Sequence, residues 1–104
     1  MRNEIAALFE TRDEAVRKED KALFLSTQVS EIELGSSDGY LSLEDLTTEV
    51  LYIHDESELE KFVLVKETYK QSGKDPRSAF LLYFLASTVQ GWRIYKLTIV
   101  AARF

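Results

Sequence analysis

No cysteine occurs among these 104 residues, which removes disulfides, thiolate zinc sites, iron–sulfur clusters and cysteine nucleophiles and is compatible with a reducing compartment. Histidine is nearly as scarce. His54 stands alone, so neither a His-pair metal site nor a histidine relay can be assembled, and it could act as acid or base only with other residue types. Long apolar runs are missing as well: the longest, Ala79 to Ala86 (AFLLYFLA), falls far short of the roughly 20 residues of a membrane-spanning helix and reads as a buried strand. The opening MRNEIAALFE carries acids inside its short apolar stretch and shows no small-residue cleavage site. That argues against a secretory signal, and a cytoplasmic location is expected.

Positive charge is also in short supply. Thirteen Lys and Arg stand against 18 Asp and Glu, a net charge of −5 with pI near 4.9, and the basic residues are scattered rather than striped. Such a surface opposes a phosphate backbone, so nucleic acid is not expected as a partner. Gly35 and Gly39 flank Ser36, Ser37 and Asp38, but no strand–GxGxxG–helix, Walker, Gly-x-Ser-x-Gly, His-Glu-x-x-His or EF-hand pattern is present. No cofactor and no metal are expected.

What is present suits one folded unit. Hydrophobic residues make up 45% and charged residues 30%, enough to bury a core and remain soluble, and the length matches one domain covering 1–104. From Glu4 to about Lys18, the residues Ile5, Leu8, Phe9, Ala15 and Val16 recur at helical spacing behind Asn3 as N-cap. Asp20 caps a second, short helix from Lys21 to about Thr27. Val29 to Tyr40 reads as a short strand at Ile32 and Leu34 followed by a Gly-Ser-Ser-Asp-Gly loop. Ser42 and Asp45 carry the spacing of a helix-capping signal.

From Thr48 onward the composition turns to β-branched and aromatic residues. Strands are expected at Glu49–His54, Phe62–Tyr69, about Arg77–Thr88 and Trp92–Val100, joined by short links and therefore antiparallel neighbours. Alternation places Phe80, Leu82, Phe84 and Ala86 on one face of the third strand and Leu81, Tyr83, Leu85 and Ser87 on the other. In the fourth, Trp92, Ile94 and Val100 oppose Tyr95, Leu97 and Ile99. Both faces are apolar while the helices can cover only one, so a homodimer packed through Leu81, Tyr83, Leu85, Tyr95, Leu97 and Ile99, or through their opposites, is the simplest cover for the other.

The helix pair, short strand, brief helix and four-strand meander closing on Gly91-Trp92-Arg93-Ile94 resemble the NTF2-like superfamily across nearly the whole chain. The passage Ala15–Phe24 and the Gly-Trp-Arg-Ile strand are similar to SnoaL-like and ketosteroid-isomerase-like members. The resemblance implies an α+β, cystatin-like cone in which N-terminal helices pack in the concave face of a curved, mainly antiparallel sheet, with dimers often formed through the convex face. It implies no single activity, since this fold hosts isomerases, cyclases, dehydratases, ligand carriers and inert association domains. The position of the isomerases' oxyanion-hole tyrosine on the first helix is Thr11 here, and that of their general-base aspartate is Ile32, between Glu31 and Glu33.

Three readings of function follow. In the first, a small apolar or amphipathic molecule is held in the cone by Phe9, Tyr52, Tyr69 and Trp92, the tyrosines and tryptophan adding polar handles. In the second, an isomerase, cyclase or hydrolase moves protons with His54, Glu67 and Glu33 as catalytic candidates. The third is an association domain without a usable pocket. Lys66 and Glu67 point to opposite faces of one strand, so one of them faces inward or lies near an edge.

Overall fold

The computed structural model describes residues 2–29 and 39–103. Helix α1 spans Arg2–Arg17, so Asn3 lies inside it rather than capping it. Ile5, Phe9, Ala15 and Val16 are buried along one stripe, and Arg12 and Asp13 are buried with them. Each large apolar side chain removed from water along this stripe contributes about 1.5–3 kcal/mol. The helix ends in paired closing bonds, Glu19 N–H to the Val16 carbonyl at 3.1 Å and Asp20 N–H to the Ala15 carbonyl at 2.9 Å. This is a Schellman closure, and it forces Glu19 into the left-handed region at φ 53°. Asp20 then caps α2 (Lys21–Leu25) by accepting from the Leu23 N–H at 3.0 Å.

Four strands follow: β1 (Asp45–Asp55), β2 (Glu60–Lys70), β3 (Arg77–Thr88) and β4 (Gly91–Arg103). They form one antiparallel sheet in sequence order. The β3–β4 link is only Val89 and Gln90, and the return is made by Gly91 at φ 107°, a conformation that L side chains rarely adopt. The expected helical turn is present but sits at 39–41. Ser42 closes it by donating to the Gly39 carbonyl at 2.7 Å, and Asp45 opens β1 instead of supporting a helix. The short strand expected at Ile32 and Leu34, like Glu31, Glu33 and Asp38, lies outside the described residues.

Helix α1 covers the inner face of the sheet, where Ile5, Leu8 and Phe9 pack on Val63, Val65, Leu81, Tyr83, Leu85 and Ile94. Leu81, Tyr83 and Leu85 are thus 1%, 0% and 0% exposed. The β3 residues expected at a dimer contact are therefore covered, while Ile99 of the same set stays 60% exposed, and Phe80, Leu82 and Phe84 face outward. Extra residues in the ladder explain the rest of the face assignment. In β4, Leu85 pairs Ile94 and Phe84 pairs Lys96, which leaves Tyr95 as a bulge. Ile94 and Leu97 therefore both point inward, while Tyr95 turns out against Phe84 at 6.1 Å between ring centroids. In β1, Leu51 is extra between Val50 and Tyr52, so Val50 faces inward with Val65 while Tyr52 and His54 face outward with Leu64 and Phe62. The chain after α2 runs beside β4 as a short parallel pairing of Gln28 with Ile94. It is fastened by Ile94 N–H to the Thr27 carbonyl at 3.0 Å and Val29 N–H to the Ile94 carbonyl at 2.8 Å.

Candidate functional site

Glu67 is the inward member of the Lys66–Glu67 pair and is fully buried. A carboxylate there needs donors, and three phenols supply them. Tyr40, from the 39–41 turn, donates to Oε1 at 2.6 Å. Tyr69, two residues along β2, donates to the same oxygen at 2.7 Å. Tyr83, across the β2–β3 ladder, donates to Oε2. Tyr40 and Tyr83 also bring their hydroxyl oxygens to 3.3 Å of each other. Burial holds all three phenols well above their ordinary range, and the negative charge of Glu67 adds to the effect. For Tyr83 the nearby Arg12 guanidinium opposes it. The phenols therefore remain protonated, and their protons are committed to Glu67.

Beside this group a pocket of about 270 Å³ opens, lined by Tyr40, Leu43, Tyr69, Gln71, Asp75 and Arg77. The Tyr40 and Tyr69 rings form the wall between it and Glu67. Apolar surface from Leu43 and the rings thus meets a rim of two charges and an amide. With their protons directed to Glu67, the two wall hydroxyls can offer a ligand only oxygen lone pairs. Side-chain donors at the pocket come from Arg77 and Gln71.

On the far side of Tyr40 and Tyr83 lies Arg12, fully buried. Its guanidinium carbon sits 4.1 Å from the Phe24 ring centroid, 5.2 Å from that of Tyr40 and 5.5 Å from that of Tyr83. Nη1 donates to Thr27 Oγ1 at 3.0 Å and to Gln28 Oε1 at 2.9 Å. The next residue on the helix, Asp13, accepts from the Thr48 N–H at 2.8 Å and its hydroxyl at 2.6 Å, fastening α1 to β1. Burial raises the Asp13 carboxyl, partly offset by those two bonds.

The candidates from the sequence are dispersed. His54 is on the outer face, beside Glu56 at 3.1 Å and stacked on Phe62 at 5.7 Å. His54 pairs with Phe62, five positions along β2 from Glu67, roughly 17 Å at strand rise and on the opposite face. The two are not brought together, and Glu33 lies outside the described residues. Of the four pocket candidates Tyr69 lines this pocket, and Trp92 lines a second, open cavity of about 530 Å³ with Leu8, Thr11 and Arg93. Phe9 is buried edge-on against Tyr83 at 5.0 Å, and Tyr52 is 61% exposed on the outer face. Trp92 sits at the other end of the sheet, opposite Ser87. Arg12 and Tyr40 carry the site without having been singled out, and Tyr83, expected at a dimer contact, belongs to it instead. For Arg12 a signal existed: a charged residue stands in the apolar stripe at the position between Phe9 and Ala15. Among the described residues no group of three or more His, Cys, Asp or Glu could hold a metal ion, and no helix is long and apolar enough to cross a membrane.

Comparison of the coordinates with solved structures places this architecture. An NTF2-like protein of unknown function from Shewanella oneidensis superposes with a TM-score of 0.75 at 14% identity, covering 88% of this chain and 92% of that one. A Nostoc punctiforme protein of unknown function with a cystatin-like fold gives 0.71 at 14% identity, over 94% and 88%. A ketosteroid isomerase-like protein from Erwinia carotovora gives 0.66 at 17% identity, over 95% of each chain. The chain has the NTF2-like, cystatin-like α+β fold. No protein-family model matches the sequence, and no curated protein matches it in sequence.

Proposed function

We propose that this protein binds a small amphipathic molecule in the mouth of its cone. The observation that carries the reading is the 270 Å³ pocket walled by Tyr40 and Tyr69, whose hydroxyls are fixed from behind by Glu67. Leu43 and the two rings suit an apolar body, and Gln71, Asp75 and Arg77 suit a polar end. Side chains held in place before binding lose little freedom on binding. A thermal-shift and NMR screen of small amphipathic acids and ketones tests this. Hits should move resonances of Leu43, Tyr69 and Arg77, and Leu43→Trp, which fills the space, should abolish them. Hits that survive Leu43→Trp would defeat the assignment.

Self-association through the outer sheet face belongs to the same reading. Phe80 is 39% exposed there, and Phe62 and Phe84 meet edge-on at 4.9 Å beside it, an apolar strip on the face that α1 leaves uncovered. The cysteine-free composition fits a cytoplasmic setting for such a protein.

The buried carboxylate one phenol away from the pocket favours a second reading, proton-transfer chemistry with Glu67 as the base and Tyr69 as the relay. Solvent deuterium exchange into the acidic carbon of a bound ketone, lost in Glu67→Gln, would support it. Exchange that persists in that variant would exclude it.

A further inference from the structure

We infer that Arg12 forms a carboxylate-binding site inside the cone. Its Nη1 is occupied by Thr27 and Gln28. Its Nε and Nη2, together with Gln28 Nε2, are buried and without a hydrogen-bond partner among the described residues. Nε and Nη2 make up the edge of a guanidinium that grips a carboxylate through two parallel N–H···O bonds. Buried donors without acceptors are costly, and folded proteins rarely leave several together without a ligand, ion or water to meet them. The side chain is also not free to look elsewhere. It is clamped over Phe24, flanked by Tyr40 and Tyr83, and aimed by Thr27 and Gln28, which the backbone pairing to Ile94 fixes in turn. The two buried carboxylates are already supplied, Glu67 by three phenol donors and Asp13 by Thr48, and no ion pair joins either to Arg12 among the described residues.

The ligand chemistry is a planar carboxylate, from one of two sources: a free small carboxylate, or the acidic end of a larger molecule whose body lies in the pocket beyond Tyr40. The second source rests on the pocket reading above. Tyr40 lines the pocket and lies against the guanidinium, so it is the one ring that separates a ligand there from Arg12.

The test is an NMR titration that follows the Arg12 Nε–Hε resonance, run with formate and acetate, with an eight-carbon fatty acid, and with sulfate as a general salt control. A saturable shift with a carboxylate at millimolar concentration or below is expected. Gln28→Leu, which removes the group aiming the guanidinium, should weaken it about tenfold. Response to formate in both the native chain and Leu43→Trp identifies the free anion. Response to the fatty acid that disappears in Leu43→Trp identifies the tethered acid. Should the Arg12 resonance stay put in every titration, or move equally with sulfate, the inference is overturned and the donors meet ordinary water. An amphipathic ligand that shifts Leu43 and Arg77 but not Arg12 would sink this inference alone and leave the pocket reading intact.

Discussion

Removing one hydroxyl, with Tyr83→Phe, is the sharpest probe of the buried carboxylate. Tyr83 is completely buried, and among the described residues its hydroxyl is the sole donor to Glu67 Oε2. A hydrogen bond to a charged group contributes about 1.5–3 kcal/mol, and a buried acceptor left bare sits at the upper end. A loss of about 2–3 kcal/mol is expected, which for a domain of this length lowers the melting temperature by on the order of 10–20 °C. Tyr40→Phe should cost less, about 1–2 kcal/mol, because Oε1 keeps its bond from Tyr69. Tyr69→Phe should cost under about 1 kcal/mol, because the Tyr69 ring borders the pocket and water can replace its hydroxyl. Urea unfolding followed by circular dichroism measures all three. The causal step is isolated by repeating Tyr83→Phe in a Glu67→Gln background, where much of the penalty should vanish as a coupling between contacting groups. Equal penalties in both backgrounds, or Tyr69→Phe as the most damaging change, would refute the assignment of Glu67 as the group these phenols serve.

Alkaline pH should unfold the protein steeply. The folded phenols of Tyr40, Tyr69 and Tyr83 are held above the ordinary value of 10.0, so their contribution is complete below that pH. It drains away above it, as the unfolded chain alone loses protons, by about 1.4 kcal/mol per pH unit per tyrosine. Phenolate absorbance from these residues should appear together with the loss of secondary structure, and a smooth rise before unfolding would contradict it. Glu19→Gly should stabilise by about 0.5–1 kcal/mol, since Glu19 occupies a left-handed position that costs a side chain but not glycine; denaturant midpoints would show it. His54→Ala should leave stability within about 0.5 kcal/mol and ligand binding unchanged, because His54 is exposed on the face opposite the pocket. Phe84→Glu, on the outer face, should convert any dimer to monomer in light scattering without unfolding the chain, and a protein already monomeric at micromolar concentration would remove the dimer from the reading.

The strands were legible because their residues are β-branched and aromatic and their links short, and Asp20 announced α2 through its own side chain. The split of β3 into two faces also followed from alternation alone, and so did the inward turn required of either Lys66 or Glu67. The faces of β1 and β4 did not follow, because a single extra residue at Leu51 or Tyr95 reverses the alternation, and neither residue type marks a bulge. The site was harder still. Tyr40 and Tyr83 meet Glu67 from 27 and 16 residues away in sequence, Tyr40 through the packing of the 39–41 turn over the sheet and Tyr83 across the β2–β3 ladder. Arg12 was hidden by the habit of reading a charged side chain as a solvent-facing one.

The position of Trp92 gives the protein an internal reporter. It is the only tryptophan, half-buried, with the Lys61 ammonium 4.9 Å from its ring centroid. It pairs with Ser87, while Tyr69 at the pocket pairs with Arg77, ten residues away along β3, or roughly 33 Å at strand rise. Its emission will therefore follow the loosening of the hairpin end of the sheet and remain blind to occupancy at the mouth. Tyrosine signals from Tyr40 and Tyr69 will do the reverse. Two optical channels in one unlabelled chain can thus separate a ligand that binds from one that merely changes stability.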